Sequence, residues 1–203
     1  MSLGQVSFSA TGARYAMAVE GLDALKDISN LDDQILRNAA RAINATADRG
    51  RTASARAILT QVNFPASYLN PSDGRLAVIN RAAGTRLSAT IRGRDQATSL
   101  ARFVTGSKKP FKGGVTVEVK PGRALFLKRA FIFPLRNNNL GLAIRTNGPA
   151  PARAYKPKRL GRNLWLLYGP SVNQVFQSVR DEVSPDLLQF MEDEFNRLMD
   201  VGL

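Results

Sequence analysis

The sequence predicts an α+β fold in which a long N-terminal helix packs on an antiparallel β-sheet and C-terminal helices close the chain. Three patterns predict it: an apolar stripe of helical period over 31–61, short alternating apolar and polar runs over 75–146, and a return to helical periodicity after residue 171. The chain has 203 residues, 44% hydrophobic and 22% charged, enough apolar material for a buried core without disulfides or metals. Residues 1–30 read as an N-terminal arm and 31–203 as a single domain with basic loops at 104–114 and 147–163.

The first helix is predicted over 31–61, with Asn30 as N-cap and Asp32 and Asp33 in the first turn, where negative charge meets the positive end of the helix dipole. Leu31, Ile35, Ala39, Ile43, Ala47, Gly50, Ser54, Ala57 and Ile58 share one stripe. Most of them are small, so another backbone can approach closely along it. Arg37, Arg41, Asp48 and Arg51 lie on the opposite face, flanked by Arg49 and Arg56. That face reads as a solvated amphipathic surface, with contact to an acidic partner as the alternative.

Pro65, Asn70, Pro71, Asp73 and Gly74 break the helix. Strands follow by alternation at 75–80, 86–92, 115–119, 125–135 and 140–146. In the second, Leu87, Ala89 and Ile91 share one face while Arg86, Ser88, Thr90 and Arg92 share the other, so one side of the sheet is expected to be wet. Pro121-Gly122 and Asn137-Asn138-Asn139 are turn signals, the second for a hairpin. The Gly- and Lys-rich stretch 106–114 reads as a mobile basic loop, and the Pro-rich stretch 147–163 as an arm or long loop.

Toward the C-terminus, Ser171-Val172-Asn173-Gln174 fits a capping box that opens a helix. Ser184-Pro185 fits the N-cap and first-turn proline of a separate last helix ending near Asp200. Leu187, Leu188, Phe190, Met191, Phe195, Leu198 and Met199 form a broad apolar face on it, part of which is a candidate subunit contact.

Charge is the strongest compositional signal. Lys and Arg number 29 against 16 Asp and Glu, a net charge of +13, and 21 of the basic residues are Arg. The charge is segmented: residues 1–36 carry −3, 37–163 carry +21 and 164–203 carry −5. A basic body between acidic ends calls for an anionic partner. The chain contains neither Cys nor His, which removes disulfides, thiolate or imidazole zinc sites, and Ser-His-Asp or Cys-His catalysis. With no basic-then-apolar leader pattern and no apolar run of membrane-spanning length, the chain is expected neither to span a membrane nor to carry a recognisable export signal.

Several segments invite a functional reading. The 106–114 loop lacks the phosphate-binding-loop pattern and no helix follows it, so Lys108, Lys109 and Lys112 read as a basic loop rather than a nucleotide site. Glu192, Asp193 and Glu194 point in different directions around a helix and read as a solvated face rather than an acid/base pair or a hard-cation site. Arg-rich strands interleaved with Phe103, Phe111, Phe126, Phe131 and Phe133 fit phosphate contacts plus base stacking. Core packing of the rings, above all in Phe131-Ile132-Phe133, is the competing reading.

The order of several strings is more specific. Arg41-Ala42-Ile43-Asn44 with Arg49, Arg51 and Arg56 comes first, then Ser99-Leu100-Ala101-Arg102-Phe103 and Lys112-Gly113-Gly114-Val115-Thr116-Val117. Phe131-Ile132 leading into Leu140-Gly141-Leu142 follows, and Leu167-Tyr168-Gly169-Pro170-Ser171-Val172 closes the series. Over about residues 30–200 this order resembles the minor tail protein Z family of tailed bacteriophages and prophages.

The resemblance implies a non-enzymatic virion protein, without cofactor or metal, that completes the head-proximal end of the tail. Its implied partners are further copies of itself in a ring, the tail terminator and the head-tail connector, with non-specific contact to double-stranded DNA as a further candidate. Its implied location is the virion neck, and the host cytoplasm during assembly. Candidate protein-facing or DNA-facing residues are Arg37, Arg41, Arg51, Lys108, Lys109, Lys112, Lys156, Lys158, Arg159, Phe190 and Phe195. The alternative from another class is a stand-alone DNA-binding or DNA-packaging accessory protein.

Overall fold

The computed structural model describes residues 15–18, 33–106, 113–147 and 155–200, and they form an α+β arrangement of helices and antiparallel sheets. Asn30, Leu31, Asp32 and the loop lysines Lys108, Lys109 and Lys112 lie outside the described residues. The chain divides into two compact units interleaved along the sequence. The first comprises Met1–Ala57, Asn70–Arg94 and Phe176–Leu203, and the second Ile58–Leu69 and Asp95–Val175. Two long helices, α1 (Asp33–Gln61) and α2 (Val172–Asp200), each contribute most of their length to the first unit and about one turn to the second.

In the first unit, β1 (Tyr15–Ala18), β2 (Leu76–Ile79) and β3 (Ser88–Gly93) make an antiparallel sheet in the order β1-β3-β2. The α1 stripe is the buried face: Ala39, Ile43, Ala47, Gly50 and Ser54 are all buried. A Cβ on Gly50 would stand 2.7 Å from Leu187 Cδ1 of α2 and 3.2 Å from Ile91 Cδ1 of β3. The small residue therefore lets a helix and a strand close on α1 at one point, as the stripe predicts. Asn44 of α1 acts as a surrogate peptide: its Nδ2 donates to Ala82 O at 3.0 Å and its Oδ1 accepts from Ala82 N at 2.9 Å. Buried Asn38 donates to Leu198 O at 3.0 Å, fixing α2 to α1 near its end.

The expected wet face of 86–92 is only partly wet. Arg86 and Arg92 are exposed, but Thr90 is buried because β3 is the central strand and Thr90 sits opposite Ile79 of β2.

The second unit holds a hairpin, β4 (Val115–Lys120) and β5 (Arg123–Leu127), turning at Pro121-Gly122 with Gly122 at φ +71°. It also holds a four-stranded antiparallel sheet of β6 (Ala130–Pro134), β7 (Leu140–Arg145), β8 (Tyr155–Gly161) and β9 (Leu164–Tyr168), in the order β6-β7-β9-β8. The Asn-rich turn joins β6 to β7 as a hairpin. In its core Phe64 stacks on Tyr68, ring centroids 5.2 Å apart, and leans on Phe103 at 5.5 Å. The segment entering α2 closes against that core. Gly169 N donates to Thr98 O at 2.7 Å, and a Cβ on Gly169 would stand 2.8 Å from Phe103 Cε2. The capping box forms in full: Ser171 Oγ accepts from Gln174 N at 3.1 Å and Gln174 Oε1 from Ser171 N at 3.0 Å.

Three further expectations are corrected. The 125–135 strand is two strands, because Lys128-Arg129 turns the chain from the β4–β5 pair into β6. The 147–163 stretch is not wholly a loop: its second half is β8, an edge strand where Pro157 does not have to donate to a second neighbour. Strand β9, next to it, had no expectation attached. The two C-terminal helices are one, and Ser184 caps nothing; its Oγ donates back to Arg180 O at 2.7 Å within continuous α2. Pro185 is exposed, so the helical bond it cannot make is lost on the solvent side while Leu187 holds the other side in the core.

Candidate functional site

Charge separates with the two units. By sequence the second unit has 15 basic and 2 acidic side chains, whereas the first has 14 of each. The whole net charge of +13 therefore belongs to the second unit. Its two carboxylates are bound by neutral donors: Asp95 accepts from Asn173 Nδ2 at 2.6 Å, and Glu118 from Asn63 Nδ2 at 3.0 Å and Gly122 N at 2.8 Å. Among the described residues the ion pairs Arg75–Asp73, Arg81–Asp48, Arg180–Asp181 and Arg197–Glu194 all lie in the first unit.

The strand register gathers five of the second unit's cations at one end of its four-stranded sheet. Lys128 and Arg129 form the turn into β6, Arg145 ends β7, Arg159 lies near the end of β8, and Arg162 sits in the β8–β9 turn. Arg145 N donates to Arg129 O, Arg145 pairs across with Leu164, Gly161 pairs with the same Leu164, and Thr146 N donates to Asn163 O at 2.9 Å. All five side chains are exposed. Trp165, the only tryptophan, shares the face of Arg159, with which it pairs; its Nε1 donates to Thr146 Oγ1 at 3.1 Å and the Arg159 guanidinium lies over its ring at 5.9 Å. On the opposite face of the sheet Arg145 lies over Phe131 at 5.7 Å.

The residues singled out from the sequence do not form one constellation. Arg37, Arg41, Arg51, Phe190 and Phe195 belong to the first unit, while Lys156, Lys158 and Arg159 lie on β8 of the second. Arg37 and Arg41 are exposed, and Arg37 donates to Gln34 Oε1. Arg51 is corrected as a surface candidate: it is half-buried, its Nε donates to Leu76 O at 3.1 Å, and burial lowers its pKa against the opposing pull of Asp48. Arg81 holds Asp48 instead, with its pKa raised by that hydrogen bond. Phe190 is half-buried beneath the Arg49 guanidinium at 4.5 Å, and Phe195 is half-buried on α2. Phe103 is core, whereas Phe126 on β5 is 59% exposed.

Of the acidic triplet, Glu194 is held by Arg197 and Asp193 accepts from Gln189 Nε2. Among the described residues no group of three or more potential metal ligands converges, and no helix is long and apolar enough to cross a membrane. Sequence reasoning missed Lys128, Arg129 and Arg145 as a group because they are 17 positions apart at their extremes and only the register joins them to Arg162. Comparison with protein-family models, curated proteins and solved structures finds no match for the chain.

Proposed function

We propose that this chain is a structural protein of a tailed-phage or prophage virion, completing the head-proximal end of the tail and helping join it to the head-tail connector. The observation that carries the reading is the ordered series of strings resembling the minor tail protein Z family. Support comes from the structural roles those strings hold. Asn44 ties α1 to Ala82, Phe103 packs against Gly169, and Ser171 caps α2.

Charge separation supports an assembling subunit. The exposed carboxylates Glu182, Asp186 and Glu192 on α2 complement the basic second unit of another copy, a heterologous contact that closes into a ring when the rotation permits. Exposed Lys158 on β8 is then available to acidic surfaces of the tail terminator or connector. Deleting the gene from a phage that carries it tests the reading. Unjoined filled heads and tails in electron micrographs are the expected result, and a normal yield of infectious particles would refute it.

A further inference from the structure

We infer that the sheet end formed by Lys128, Arg129, Arg145, Arg159 and Arg162 binds the phosphate backbone of a nucleic-acid duplex. The inference does not depend on the virion reading. Five cations from two turns and the ends of two strands are brought to one end of the sheet, which they rim from both faces, Arg145 on one and Arg159 on the other; all are exposed, with no described carboxylate paired to any of them. The first unit shows the contrasting solution, since its cations and carboxylates are equal in number and several are paired.

Like charges held close together repel, and a partner with regularly spaced negative charge relieves that repulsion and releases its own condensed counterions. Four of the five are Arg, whose planar fork matches phosphate oxygens in two-point contacts. Thr146 and Asn147 beside them add neutral groups at the same end, and Arg129 Nη1 donates to Asn147 Oδ1 at 3.3 Å, which orients the guanidinium. Among the described residues at this end, Trp165 is hydrogen-bonded to Thr146 and has the Arg159 guanidinium over its ring, so its ring is not offered as a platform for an unpaired base. The geometry thus favours a sequence-independent duplex over a single strand. An acidic protein surface is the competing occupant.

The test uses the full chain and a labelled DNA duplex of about 20 base pairs, followed by fluorescence anisotropy across a salt series. Emission from Trp165, the only tryptophan, gives a second readout at the proposed surface. Wild type should bind with log affinity falling linearly in log salt, and duplex should change the Trp165 emission. Reversal of Arg129, Arg145 and Arg162 to Glu should weaken binding at least tenfold and reduce the salt slope by about 3, one contact per side chain. Reversing the exposed first-unit residues Arg56, Arg86 and Arg92 should leave the slope nearly unchanged. Should the triple Glu variant unfold, the triple Gln variant, which removes charge without adding repulsion, takes its place. Equal losses from both sets of reversals, an unchanged Trp165 spectrum on binding, or competition by poly-glutamate as effective as that of unlabelled duplex would each overturn the proposal.

Discussion

Gly169 and Gly50 both stand where a Cβ would come too close to a neighbour, yet substitution should separate them. At Gly169 the obstacle is the Phe103 ring, which is itself wedged against Phe64, so it has little room to yield. At Gly50 the nearest atom is the end of the Leu187 side chain, and alanine there gains about 1 kcal/mol of helix propensity. Gly169→Ala should therefore lower unfolding free energy by about 1–3 kcal/mol, the usual cost of overpacking, while Gly50→Ala costs visibly less. Urea denaturation of both variants checks the order; a more damaging Gly50→Ala would contradict the geometry. At Glu194, the hydrogen bond from Arg197, aided by the charges of Arg197 and Arg41 and opposed by burial, holds the carboxyl pKa below its ordinary value. A depressed carboxyl pKa stabilises the folded state above the unfolded pKa, and that contribution disappears as pH falls through the folded value. Melting curves across the acid range should show wild type ahead of Glu194→Gln at neutral pH and the two converging in acid. A gap that persists when the carboxylate is protonated would assign the difference to something other than this ion pair.

Elements were legible in the sequence where their chemistry agreed with their burial. The α1 stripe, the turns at Pro121-Gly122 and the Asn run, and the Ser171 capping box all appear as read. Strand β8 was illegible because an edge strand can carry Lys, Arg and Pro, the same residues that mark a loop. The β5–β6 break was illegible because a two-residue turn of Lys and Arg interrupts an apolar run without Gly or Pro. Pro185 misled for the opposite reason: it looks like a helix start, but packing on both sides of it overrides local preference. Its position inside α2 makes a direct prediction. Pro costs about 3 kcal/mol relative to Ala in a helix interior, and the stiffness it gives the unfolded chain returns up to about 1. Pro185→Ala should raise stability by about 2 kcal/mol in urea denaturation. A loss of stability would mean that the chain needs the break the sequence suggested.

Across the whole molecule, charge balance differs between the two units, and this was only half visible in the sequence. Segment totals show a basic middle and acidic ends, but the interleaving of the chain is what leaves one unit neutral and the other with all of the net charge. The candidate list drawn from sequence proximity accordingly mixed residues of both units, and it missed the Lys128, Arg129 and Arg145 cluster that β-sheet register creates. Because Leu187, Met191 and Leu198 are buried, truncating α2 would damage the fold, so its role in assembly is better tested by charge. Reversing exposed Glu182, Asp186 and Glu192 to Lys should leave the melting temperature nearly unchanged while shifting the sedimentation profile toward monomer at low salt. Unchanged assembly would remove α2 from the subunit contact. The placement of the chain at the head-proximal end of a tail is tested most directly by immunogold electron microscopy of purified, salt-washed tails from a phage encoding it. Label confined to the head-proximal tip is the predicted result; tails without label, or label spread along the tube, would contradict it.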